Sequence, residues 1–181
     1  MGLDYRFVTV IPNEHRERMY EYIKNNGALF DSGCTVIHFP MDSFILKYLE
    51  GGYDWKPHYD QEEIEKHIEP DGKASIGCIY IKEREQPGGE LEVSLTAATT
   101  DMSLLFRDSF SISKWFVQMS IELNSILTYL DKEDDGVRIL FYQGAPVQLD
   151  LSSDTHLGNL RDRFLPLVQD FARRYEHFED R

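Results

Sequence analysis

The sequence predicts an α+β domain, a mostly antiparallel sheet of about five or six strands with three to four helices packed on one face. Two observations predict the class. Most strand-like runs come in pairs joined by tight turn signals, as at Gln86-Pro87-Gly88-Gly89 and Gln143-Gly144, which makes hairpins rather than crossovers the usual connection. Between those pairs lie stretches whose apolar residues recur at three and four positions, the period of helices covering a sheet. The chain of 181 residues, 41% hydrophobic and 13% aromatic with 11 Phe and 10 Tyr, has the material for one core. Residues 1–181 are therefore read as a single domain.

Taken in order, Tyr5 to Ile11 alternates and stops at Pro12, as a strand buried on most of both faces would. Asn13 offers an N-cap to a short helix with Met19, Tyr22 and Ile23 on its apolar stripe, closed by Asn25-Asn26-Gly27. Cys34 to Phe39 is a strand ended by Pro40, and Asp42 or Ser43 caps a short helix stopped at Gly51-Gly52. From Tyr53 to Gly72 the chain makes a polar surface excursion, long for a compact domain. Lys73 to Glu83 reads as a strand with Ile76, Cys78 and Tyr80 on one side and Gly77, Ile79 and Ile81 on the other. Its hairpin partner, Glu90 to Thr99, puts Leu91, Val93, Leu95 and Ala97 on one face and Glu92, Ser94 and Thr96 on a wet one.

The strongest periodicity follows. Ile112, Trp115, Phe116, Met119, Leu123, Ile126, Leu127 and Leu130 predict a core helix of about five turns, capped by Ser109 or Ser111. Asp131 to Gly136 is then a helix-to-strand turn, Val137 to Tyr142 a strand, and Val147 to Leu151 a returning edge, where alone Pro146 is tolerated. A last helix carries Leu157, Leu160, Phe164, Leu167, Val168, Phe171 and Tyr175, kinked at Pro166.

With 19 Lys+Arg against 32 Asp+Glu the net charge is −13, which disfavours nucleic acid and anionic membrane surfaces as partners and suits a basic protein partner. The densest cationic pairs, Arg161 with Arg163 and Arg173 with Arg174, are diluted by neighbouring carboxylates. Cys34 and Cys78 sit in strand-like runs and are expected as buried free thiols in a cytoplasmic protein, although a disulfide between adjacent strands remains open. No export signal or apolar run long enough to span a bilayer is present, and no cofactor is expected.

Few groups carry chemistry. A metal is testable at His58, Asp60 and His67, because a helix over Asp60 to Ile68 would place Asp60, Glu63 and His67 on one face. Asp131, Glu133, Asp135 and Gly136 match the opening of a calcium loop, but Tyr142 stands where its bidentate Glu belongs, so a polar turn is expected. His38 is expected to be a hydrogen-bonded strand residue, and the stripe Ser94, Thr96, Thr99 and Asp101 to face water or a ligand. There is no nucleophile elbow, phosphate loop or dinucleotide fingerprint, and Ser152, Ser153, Asp154 and His156 lie too close in sequence to build a triad.

The stretches GKASIGCIYIKERE, ELEVSLTAATTDMSLLFRDSFSISKWF and LTYLDKEDDG, between Gly72 and Gly136, resemble a bacterial family of small cytosolic domains of uncharacterised function. The resemblance implies no activity, cofactor or catalytic residue. The expected function is accordingly a non-catalytic acidic interaction domain, in the manner of immunity proteins and small inhibitors, with Tyr53, Trp55, Tyr59, Glu62 and Glu63 as partner-binding residues. The alternative is a small-molecule- or metal-binding domain or hydrolase built on the His58, Asp60 and His67 region. An edge strand at Val147 to Leu151 also leaves room for a homodimer.

Overall fold

The computed structural model describes residues 2–53 and 60–151. One eight-stranded antiparallel sheet organises them, formed by β1 (Arg6–Pro12), β2 (Gly27–Phe30), β3 (Cys34–Phe39), β4 (Ala74–Gln86), β5 (Glu90–Ala97), β6 (Leu127–Asp131), β7 (Val137–Tyr142) and β8 (Ala145–Leu151), in the order β2-β3-β4-β5-β1-β6-β7-β8. The helices are α1 (Arg16–Asn25), α2 (Ser43–Leu49), α3 (Gln61–Glu65), α4 (Thr100–Asp108) and α5 (Phe110–Glu122). The class is α+β as predicted, with two to three more strands than expected. None of the described helices is long and apolar enough to cross a membrane.

Central placement of β1 follows from its sequence. Phe7 and Ile11 enter the large core shared with the helices, while Val8 joins a second cluster with Tyr129, Val137, Ile139 and Tyr142. A strand apolar on both sides is best buried by neighbours on both edges, here β5 and β6. Thr9 is buried beside Phe7 without loss because Ser125 lies 2.9 Å and Thr128 2.8 Å from its hydroxyl, and Ser120 on α5 lies 2.7 Å from Thr128. The β5 alternation is also as read, with Leu91, Val93, Leu95 and Ala97 buried.

Several expectations are corrected. The five-turn helix ends at Glu122, and Leu127 and Leu130 belong to β6. Their spacing imitates a helix, but Asn124 at φ 50° breaks the ladder, and Thr128 gains partners by pairing β6 with β1. The turn at Asp131 to Gly136 thus joins two strands, through a single 3-10 turn at Glu133–Asp135. Two of its carboxylates are occupied by the protein: Asp131 pairs with Arg6 at 3.0 Å, and Asp135 accepts from the Tyr5 hydroxyl. Asn26 is the C-cap of α1 and Gly27 starts β2, packed so closely on β3 that a Cβ there would lie 2.0 Å from the Val36 carbonyl oxygen. Residues 100–108, unassigned in sequence, form α4, and Thr99, exposed as expected, is its N-cap. Asn13 opens a 3-10 turn and makes no side-chain cap.

In β4 the predicted faces slip. The register against β3 shifts between Thr35 and Ile37, so Ile76 and Ile79 both point into the core and Tyr80 is exposed. Cys34 and Cys78 are joined in a disulfide across β3 and β4, which corrects the expectation of free thiols. The register pairs Cys34 with Tyr80, and the Cys78 Cα, 5.7 Å from that of Cys34, is close enough for the bridge. The helix predicted over 157–175, with Pro166, lies outside the described residues.

Phenols brace the sheet to its surroundings. Tyr20 donates to Glu83, which also pairs with Arg16 at 2.8 Å, fastening α1 to β4. Burial, reinforced by the Glu83 and Asp135 bonds, pushes Tyr20 and Tyr5 up to about 12, and burial with the Glu122 charge does the same for Tyr22. Folded pKa values raised above the unfolded ones give stability that is complete below pH 10 and is lost as pH climbs towards 12. Urea midpoints measured from pH 8 to 12 should stay level to about 10 and then drop, with tyrosinate absorbance of the folded protein lagging that of the unfolded chain. A midpoint that stays level throughout would refute the account.

Candidate functional site

The described residues line an open cavity of about 550 Å³ where α5 passes over the β7–β8 edge. Each wall has a local cause. Ser109 ends α4 and caps α5, its Oγ accepting from the Ile112 N–H at 3.1 Å, so the chain turns sharply there and throws Phe110 outward, 70% exposed. From α5 come Ser113, Lys114 and Val117, a face away from the buried Ile112, Trp115, Phe116 and Met119. Phe44 of α2, 39% exposed, stands at another side, and the floor is Leu140 of β7 with Pro146 and Val147 of β8. Two of the exposed aromatic rings thus stand at one opening, and they give the mouth its apolar character.

Three cations line this cavity with one carboxylate: Arg107, Lys114 and Arg138 with Asp108. Arg107 grips Asp108 in two bonds, of 2.7 and 3.0 Å. The Tyr53 hydroxyl also donates to Asp108, at 3.0 Å, and the Lys47 ammonium lies 4.4 Å over the Tyr53 ring. The Arg107 guanidinium, with the Tyr53 bond, holds the Asp108 carboxyl below its usual range against the opposing effect of burial. Burial and that same bond raise Tyr53, so the pair stays phenol and carboxylate at neutral pH. Arg138 reaches the Arg107 carbonyl at 2.7 Å and Asp150 at 3.0 Å, and Asp150 is shared with Lys132 at 3.2 Å. Among the described residues no ion pair holds Lys114, which stands exposed at the rim.

The residues singled out in sequence fall elsewhere. Tyr53 is half-buried and tied to Asp108 instead of standing free, so it supports the cavity wall from behind. Trp55, His58 and Tyr59 lie outside the described residues. Asp60 caps α3, accepting from the Glu63 N–H at 2.9 Å, with Glu62 and Glu63 exposed in the first turn. His67 is exposed just beyond α3, and among the described residues no group of three or more His, Cys, Asp or Glu side chains is placed to hold a metal ion. His38 stands on β3 with its Nε2 3.5 Å from a Glu69 carboxylate oxygen.

Sequence reading missed the cavity because its cations come from three elements. Each of Arg107, Lys114 and Arg138 reads alone as a solvated charge, and only the sheet order that lays α5 over β7 collects them. The one local signal was Phe110, an aromatic between two candidate cap serines where a helix exposes its start. Comparison with protein-family models, curated proteins and solved structures finds no match, so the site is interpreted from its own geometry.

Proposed function

We propose that the chain is a non-catalytic binding domain that holds a small molecule in the cavity between α5 and the β7–β8 edge. The observation that carries this is a space of about 550 Å³, within the size range of ligand pockets, with apolar walls and a few convergent polar groups. Binding rather than turnover is favoured by how the polar groups are engaged. Ser109 donates its hydroxyl to Asp42 at 2.7 Å, and Asp108 is bound by Arg107 and Tyr53, which leaves neither as a nucleophile or a base. Nile red, a neutral dye, tests the cavity without regard to charge. The protein should bind it saturably at one site, and Val117→Trp, which places an indole in the space from a half-buried position, should weaken binding about tenfold or more with little change in stability. Dye binding unchanged by that variant would sink the reading.

A second reading keeps the acidic surface as the place for a basic protein partner, supported by the exposed Asp60, Glu62 and Glu63 on and beside α3. Charge reversal at Glu62 and Glu63 would then abolish partner capture while leaving dye binding intact.

A further inference from the structure

We infer that the ligand of this cavity is an amphipathic monocarboxylate, its head at Lys114 and Ser113 and its apolar body along Phe44, Phe110, Val117 and Leu140. The inference rests on the binding function just proposed and adds the chemical class. Its basis is the state of the charges around the space. Arg107 is held by Asp108 in a two-point pair, and Arg138 is paired with Asp150, which it shares with Lys132. Lys114 is the one lining cation without an ion pair among the described residues, and Ser113 beside it offers a hydroxyl donor. One unpaired lining cation next to apolar walls matches one negative charge on an apolar molecule.

The same geometry disfavours the neighbouring classes. A neutral amphiphile would gain the walls but no charge–charge attraction from Lys114. A second negative charge would meet Asp108, held as a carboxylate in the cavity wall. It would also meet a protein of net charge −13, whose field opposes anions except where a local cation overcomes it. Because Lys114 is exposed, its contribution is modest and salt-sensitive, which sets the size of the expected effect.

Displacement of Nile red by octanoate, octanamide and octanedioate tests this. At low salt octanoate should displace the dye at a concentration about fivefold below that of octanamide and octanedioate. In Lys114→Met, which keeps an apolar stem and removes the charge, the three should fall within about twofold of one another, each referred to the Nile red affinity of that variant. Equal displacement by octanoate and octanamide in the parent, or an octanoate preference that survives Lys114→Met, overturns the monocarboxylate assignment. Failure of the cavity itself is a separate result, read from Nile red binding that Val117→Trp does not weaken.

Discussion

Phe7→Ala lowers the unfolding free energy by about 3–5 kcal/mol in urea denaturation, a large part of the roughly 5–15 kcal/mol that holds a domain together. The residue is fully buried on the central strand. Its ring stacks on Phe116 of α5 with centroids 3.9 Å apart at 16°, and meets Phe106 of α4 at 5.0 Å. Three elements therefore meet at one side chain. The space left by the ring cannot close by moving β1, because that strand is paired along its length with β5 on one side and β6 on the other. The cost accordingly includes an unrelaxed cavity as well as lost transfer free energy. Phe7→Leu, which refills much of the volume, should cost about 1–2 kcal/mol. A Phe7→Ala loss below about 1 kcal/mol would mean that the helices do not lean on this strand as described.

What was legible in sequence was local and periodic. The bounds of β3 were readable because Pro40 ends it, and the buried face of β5 because its apolar residues alternate cleanly against polar ones, although the strand ends at Ala97, two residues before the expected Thr99. Pro146 marked β8 as an edge, which is where it stands. The extra strands were hidden for a physical reason. Leu123, Leu127 and Leu130 satisfy helical spacing, and no propensity in that run reveals that Thr128 has buried hydroxyl partners waiting on Thr9 and Ser120. Long-range pairing overrode a local period. For α4 the signal was present, since Thr99 precedes Met102, Leu105 and Phe106 at helical spacing with Arg107 in the last turn. The cavity had no such signal. Its lining runs from Phe44 to Gln148, and the pairing that distinguishes Lys114 from Arg107 and Arg138 exists only once β7, β8 and the α4–α5 corner are adjacent.

That corner gives the second large effect, and it links stability to the site. Asp42 caps two helices at once. Its Oδ1 accepts the Ile45 N–H of α2 at 2.8 Å, while its Oδ2 accepts the Ser109 hydroxyl at 2.7 Å and the Ser111 N–H at 3.1 Å at the start of α5. A carboxylate suits both helix starts, since each presents unpaired N–H groups and the positive end of a dipole. Asp42→Ala strands all three donors in a half-buried place, and we expect it to cost about 2–4 kcal/mol. Asp42→Asn retains one acceptor oxygen and turns a donor toward the other helix, so about 1–2 kcal/mol should be lost. The adjacent Ser43→Ala, exposed and outside this set of bonds, should change stability by less than about 0.5 kcal/mol. Phe44 follows Asp42 by two residues on α2, and Ser109 and Phe110 stand at the other end of the same bonds. Loosening Asp42 thus lets two walls of the cavity move independently, and Nile red affinity should fall with stability in Asp42→Asn measured under conditions where it remains folded. If the variant loses stability but binds the dye as the parent does, the α2–α5 clamp serves the fold alone and the cavity takes its shape from β7 and β8.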